Sequence, residues 1–433
     1  MINLFYNNYY FIILIPIGLL ATYYLLKYPE VSFALFISAY VLKGGINIGY
    51  FNLTAILLII TALGFILPLA IGKKIYFTFR KADIWLLLFV IVLFTGCFFS
   101  TNSQEGFIKA IRFILIVFFP YIIARVFLKT DEQIRLFIKT FFVTAILISI
   151  LLIIISFFGE YSGGRIDFLN VNQIPLATLL AMGLVITVIG ATSNVNIFFN
   201  CQWSKPFCVV MIFPFLYSLF LVGCRGPLIS AILGLFFYYL LIFKKRLKIT
   251  IAIGIILLFV MIIWISNSDI IYSILGHIPN ISGYSLTQIE EGPSTIQRLE
   301  LYFSAISLFL QNPLLGVGTG GFPGGYPHNL FLEIAAENGI MGIIIFVYFL
   351  FSVIQKGFNY IILYLPKLDE YSKNIGLIIL TLSVTLFIEK QFSYGLDMHK
   401  DLFVFLGLMV NLPLLSHSHK IRNISKGTGN GRL

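Results

Sequence analysis

His328 and the arginines Arg165, Arg225 and Arg298 are the residues of this sequence whose types suit a defined chemistry. An imidazole is the side chain best matched to taking a proton from a hydroxyl near neutral pH, and a neighbouring carboxylate can orient it. A guanidinium binds phosphate oxygens through a rigid fork of N–H donors, so converging arginines suit a phosphate or pyrophosphate ligand. His328 stands in the stretch NPLLGVGTGGFPGGYPHNLFLEIAAENGIMG, residues 312–342, followed at once by Asn329 and then by Glu333 and Glu337. The two glutamates are four apart and share a helix face one turn beyond His328 and Asn329. A plainer reading stays open for each group: Asn329 caps a helix, the glutamates are ordinary interfacial residues, and the three arginines snorkel independently. Arg225 resists that reading most, because it sits in the short break Arg-Gly-Pro between two apolar runs.

These side chains must be carried by membrane helices. Hydrophobic residues make up 59% of the 433 and charged residues 11%, with a mean hydropathy of +0.98, which no water-soluble chain of this length tolerates on its surface. The net charge of +11 is spread in short clusters between apolar runs, a pattern of membrane topology and not of nucleic-acid binding. A span needs about 20 mostly apolar residues. Spans are expected at 52–71, 83–100, 112–128, 136–158, 173–193, 207–223, 227–243, 249–266, 336–355, 375–392 and 401–416. Apolar runs at 9–26 and 31–43 bring the total to 12 or 13. Residues 1–26 lack a basic start and a cleavage site, so the run is read as a first span and not as a removable signal. The whole chain, 1–433, reads as a single all-α integral membrane domain.

Basic residues are retained on the cytoplasmic side. With Lys244, Lys245, Arg246 and Lys248 inside, strict alternation also places the clusters at 73–81, 125–135, 356–373 and 420–426 inside, together with Lys205. Lys109 and Arg112 are the exception and fall outside. The same alternation sends outward the loop around Arg165, the turn at Cys224–Pro227, the long segment 267–335 and the turn at 393–400. Loops longer than about 15 residues usually have a functional reason. Within 267–335, Leu299, Tyr302, Phe303, Ile306, Phe309 and Leu310 recur at helical spacing, so 296–311 is expected as an amphipathic helix lying on the membrane or on the bundle. Asn312-Pro313 ends it, the glycine-rich stretch follows, and Asn338-Gly339 interrupts the next helical pattern.

Several chemistries are excluded or demoted. Gly316, Gly318 and Gly321 spell GxGxxG, but no strand precedes them, so a dinucleotide site is rejected. The loop amides could still cradle an anion. Cys97, Cys201, Cys208 and Cys224 have no CxxC spacing and read as buried thiols. No metal spacing or nucleophile elbow occurs, and no cofactor is expected. Glu389, Lys390, Asp397, His399 and Asp401 form a second polar group, within which Glu389 and Lys390 could neutralise one another. A transporter would need polar residues through the depth of many helices, whereas nearly every mid-span position is apolar.

Arg298 followed by NPLLGVGTGGF, then HNLFLEIAAENGIMG, and CRGPL upstream resemble the O-antigen ligase and O-antigen polymerase superfamily of bacterial membrane glycosyltransferases. GGRIDFLNVNQ at 163–173 is a weaker match, and the resemblance covers about residues 160–355. It implies a multi-pass protein of the bacterial plasma membrane with its active site on the extracytoplasmic face. It also implies transfer of a glycan from an undecaprenyl-pyrophosphate carrier to an acceptor sugar hydroxyl, without nucleotide sugar, nucleic acid or required metal. By that resemblance Arg225 and Arg298, with Arg165, bind the pyrophosphate, and His328 orients or deprotonates the acceptor. Asn329, Glu333 and Glu337 line or support the substrate site. Its partners would be the lipid-linked donor, the glycan acceptor, the bilayer and a chain-length regulator. A repeat-unit polymerase of O-antigen, capsule or exopolysaccharide is the preferred reading, with a ligase to lipid A-core as the alternative.

Overall fold

The computed structural model describes residues 9–42, 53–72, 78–158, 161–162, 165–166, 172–193, 204–242 and 294–427. Among them the chain is almost wholly helical, with one two-residue hairpin in which Tyr161 and Ser162 pair antiparallel with Ile166 and Arg165. Helices α1 to α4 run Tyr9–Lys27, Pro29–Leu42, Leu53–Ala70 and Lys81–Cys97. Ser103–Phe113 (α5) continues through one wide turn, Ile114–Phe118, into α6 at Phe119–Phe127. Next come α7 (Asp131–Phe158), α8 (Gln173–Thr192), α9 (Ser204–Val222) and α10 (Arg225–Ile242). The C-terminal part holds α11 (Ser294–Gln311), α12 (Leu330–Asn359), α13 (Glu370–Glu389) and α14 (Lys400–Gly427).

Among the described residues, eight segments are long and apolar enough to cross a membrane: 53–70, 103–127, 131–157, 173–192, 204–222, 225–242, 330–367 and 370–389. The chain is an all-α polytopic membrane protein. The expected spans at 83–100 and 401–416 are the helices α4 and α14, and the one at 249–266 lies outside the described residues. One boundary moves in an informative way. The span expected to start at 112 begins at Ser103, because Asn102 accepts the Glu105 N–H at 3.3 Å and so caps a polar first turn. Lys109 and Arg112 are therefore helical residues and not part of a connecting loop.

The contacts divide the chain into two compact units. The first takes α1–α3, α7, α9 and all but the end of α8. Lipid supplies no hydrophobic drive between helices, so close approach of small residues and interhelical hydrogen bonds hold them. Gly183 of α8 shows this, since a methyl there would lie 2.6 Å from the Phe215 ring of α9 and 2.9 Å from Ala145 of α7. Ser149 and Ser218 add a hydrogen bond of 2.9 Å between α7 and α9.

The second unit takes α4, α5, most of α6 and α10–α14, and it contains the described site. α4 lies along α12, with Trp85 stacked on Tyr348 and Phe89 beside Phe346. Gly234 of α10 leaves room for Thr385 of α13, and Gly376 for the Tyr360 hydroxyl. At the start of α4, Asp83 accepts from Arg125 Nε at 2.9 Å, Arg125 Nη2 at 2.8 Å and the Tyr121 hydroxyl at 2.7 Å, and Asn411 accepts from Arg125 Nη1. The members of this buried cluster come from α4, α6 and α14, so it fastens those three helices together. A second polar centre lies at the other end of α4, roughly 20 Å away at 1.5 Å per residue.

Candidate functional site

That second centre is built on a broken helix. Within α12, Gly339 adopts φ 61° and ψ −159°, which interrupts the hydrogen-bond ladder and frees backbone groups on both sides. Inside a membrane such groups must find partners in the protein. The glycine-rich segment supplies them. Val317 N–H donates to the Ala336 carbonyl at 2.9 Å and Gly318 N–H to the Glu337 carbonyl at 3.0 Å. In return Ile340 N–H donates to Pro313 at 2.8 Å and Met341 N–H to Leu314 at 3.4 Å. Gly316, at φ 70°, allows this pairing: a Cβ there would fall 2.6 Å from the Ala336 oxygen. On its other side the segment lies on α4 and α5, where Gly318 meets Ser100 and Gly320 meets Gly106. The amides of Val317 and Gly318 are thus engaged within the fold, and that of Gly321 donates to Gly318 O at 3.0 Å, so this part of the loop is a stitch.

The expected amphipathic helix is α11, and one of its faces packs on the bundle. Leu301, Ala305 and Leu308 pack with Phe322, Leu332 and Ala336, while Phe303, Ile306 and Leu310 on another face are exposed. Arg298 lies between those faces, partly buried, with no ion pair or hydrogen bond among the described residues. Its charge acts on Tyr302, Tyr326 and His328.

His328 stands just before α12 and is held in the left-handed region at φ 56°, a conformation uncommon outside glycine. Its ring meets Tyr326 edge to face, with centroids 4.7 Å apart, and its Nδ1 is buried with no hydrogen-bond partner. Burial, and then the Arg298 charge, push the imidazole down to about 4, so the ring is neutral at pH 7. Burial, with the Glu333 and Asp397 carboxylates, raises the Tyr326 hydroxyl, and Arg298 opposes this.

Asn329 is a helix cap, as its plainer reading had it. Its Oδ1 accepts from Phe331 N–H at 3.1 Å and Leu332 N–H at 3.0 Å, and its Nδ2 donates to the Gln391 carbonyl at 3.2 Å. Glu333 and Glu337 are fully buried and converge on one ammonium: Lys109 Nζ lies 2.6 Å from Glu333 Oε1 and 2.7 Å from Glu337 Oε1. The Glu333 carboxylate also receives the Leu396 N–H at 3.0 and 3.1 Å. Asn329, Glu333 and Glu337 are thus engaged within the fold, while Glu337 Oε2 is buried with no hydrogen-bond partner. Next to Leu396, Asp397 accepts from Arg112 Nη1 at 2.8 Å. The second polar group behaves as expected at Glu389 and Lys390, which pair at 2.6 Å, and Lys390 also reaches Asp401 at 2.8 Å.

Arg225 is exposed at the first position of α10. The next residue, Gly226, faces Phe392, with the Cβ position 3.7 Å from the Phe392 Cβ, and Phe392 follows the Gln391 whose carbonyl holds Asn329. Arg225 and His328 thus border the same turn, at the same end of the second unit. The Arg165 backbone pairs with Ser162 in the first unit, and its side chain lies outside the described atoms. Lys109, Arg112 and Tyr326 were missed as site residues. The signal was present for two of them, since they were the exception to the charge alternation.

Among the described residues no group of His, Cys, Asp and Glu could hold a metal ion. Chemically, the arrangement offers a neutral imidazole able to accept a proton, with the Arg298 charge acting on it. A search of curated proteins finds no match for the chain. Residues 209–347, about a third of the chain, match the family model for the O-antigen ligase domain, and Arg225, Arg298, His328, Asn329, Glu333 and Glu337 all fall within that segment. Over that segment the chain is similar to the O-antigen ligase domain.

Proposed function

We propose that the protein transfers a glycan from an undecaprenyl-pyrophosphate carrier to an acceptor sugar hydroxyl at the extracytoplasmic face of a bacterial plasma membrane. The acceptor oxygen attacks the anomeric carbon of the donor sugar as the bond from that carbon to the pyrophosphate oxygen breaks. The bonding pair leaves with the pyrophosphate, whose developing charge is met by Arg298 and Arg225. The acceptor proton passes to His328. Preorganised cations facing a developing anion commonly supply the largest single part of such a rate enhancement. A bound pyrophosphate would also offset the Arg298 charge at the imidazole, raising its basicity when the donor is in place.

The observation that carries this reading is the juxtaposition of a partly buried Arg298, without an ion pair among the described residues, with a neutral His328 whose Nδ1 has no partner. Elsewhere in the unit Arg125 is fully paired, so Arg298 is not a routine structural arginine. The preferred reaction is repeat-unit polymerisation, with ligation to lipid A-core as the alternative, since both use the same donor chemistry. The test is deletion of the gene and complementation by variants, read on a gel of surface glycan. A single retained repeat unit without a ladder marks a polymerase, and loss of all lipid A-attached glycan marks a ligase. Full complementation by both His328→Ala and Arg298→Ala, at normal protein levels, would remove the proposed chemistry.

A further inference from the structure

We infer that Lys109 and Arg112 of α5 form a brace that sets the conformation of His328, and so act as positioning residues for the reaction proposed above. The inference rests on that reading for its catalytic consequence but not for its geometry. Lysine and arginine are disfavoured at the end of a span where the charge alternation expects few of them, so a cation retained there needs a local reason. Here each has a carboxylate partner. Lys109, with a side chain 7% exposed, holds both Glu333 and Glu337 of α12, and Arg112, one turn further along the same helix, holds Asp397. Glu333 in turn takes the N–H of Leu396, the neighbour of Asp397. One helix therefore grips the first turns of α12 and the 395–398 turn together.

His328 lies where those two gripped segments meet. Asn329, beside it, caps α12 and donates to Gln391. Tyr326, on its other side, packs on Gly395, its ring carbon 3.2 Å from the Cβ position there, next to an Asp397 oxygen at 3.1 Å from the same point. A non-glycine residue in the left-handed region persists only when its surroundings impose it. On the Tyr326 side the contacts that impose it trace back to Lys109 and Arg112 through Glu333, Leu396 and Asp397. The brace touches neither reacting atom. Its loss should lower turnover and leave donor affinity, which depends on Arg298 and Arg225, nearly unchanged.

The test separates positioning from mere folding by removing the buried charges together. In Lys109→Met/Glu333→Gln/Glu337→Gln no ionised group is left uncompensated, so the variant is expected to fold and to give a normal monodisperse peak in detergent. It should show at least a tenfold lower kcat with KM for the lipid-linked donor within about twofold. Lys109→Arg, which keeps the cation, should recover most of the turnover that Lys109→Met loses. Normal kcat in the folded triple variant would overturn either the brace or the role of His328 in the reaction, and labelling at position 328 separates the two. An activity-independent readout uses His328→Cys in a background with Cys97, Cys201, Cys208 and Cys224 replaced by alanine. The rate of maleimide labelling at position 328 should rise several-fold when the triple substitution is added. An unchanged labelling rate overturns the brace. A raised rate in a triple variant that retains full turnover leaves the brace standing and instead removes His328 from the proposed chemistry.

Discussion

Replacing Gly316 by alanine tests the stitch that carries the whole site. At φ 70° an alanine costs about 1–2 kcal/mol for left-handed backbone alone. The larger effect is steric. Its methyl would lie 2.6 Å from both the Ala336 carbonyl oxygen and the Asn338 nitrogen, which are backbone atoms that cannot swing aside. The loop must therefore withdraw from the break in α12. Withdrawal would weaken the four hydrogen bonds linking 313–318 to 336–341, each worth about 1 kcal/mol net. The expected loss is roughly 4–6 kcal/mol in all. Gly325→Ala is the matched control, since it has φ 93° but nothing within 4 Å, so only the conformational cost of about 1–2 kcal/mol applies. Denaturant-induced unfolding in detergent micelles, followed by fluorescence, compares the two. Equal losses of stability in Gly316→Ala and Gly325→Ala would refute the reasoning, because they would mean that the stitch is not holding the broken helix.

Asp83→Ala should leave the Arg125 guanidinium buried without its carboxylate and destabilise the protein by about 3–5 kcal/mol in the same assay. A loss under about 1 kcal/mol would show that water reaches Arg125. The acid limb of kcat/KM should lie near pH 4, with activity falling as His328 becomes protonated below it. In the residual activity of Arg298→Gln that limb should move to higher pH, because a neighbouring positive charge that lowers the imidazole is gone while burial remains. A limb that stays in place or moves down would show that Arg298 does not act on His328. Arg298→Lys keeps the charge but not the fork, and should raise donor KM at least several-fold; an unchanged KM would exclude bidentate phosphate binding.

The spans were legible because hydrocarbon allows few alternatives to a run of about 20 apolar residues in a self-satisfied helix. α11 was legible from its three- and four-residue spacing, and Asn312-Pro313 as its end. His328, Arg298 and Arg225 stood out because polar groups are sparse in such a chain. Lys109 and Arg112 did not, since a rule about loop charges takes no account of partners. Those partners lie far along the chain, Glu337 228 residues from Lys109 and Asp397 285 residues from Arg112. The glycine-rich stretch was recognisable as irregular backbone. That its amides serve the Gly339 break could not be seen, because the open carbonyls of Ala336 and Glu337 exist only once α12 is broken. Asn329 was legible as a helix cap, and its bonds to the Phe331 and Leu332 amides bear that out.

The central claim is tested most directly with purified protein, a lipid-linked donor and an acceptor glycan, counting released polyprenyl pyrophosphate against glycosidic bonds formed. The wild type should release one for each bond, with no nucleotide sugar added, and folded His328→Ala and Arg298→Ala should each fall at least a hundredfold. Release at the wild-type rate by either variant would contradict the account.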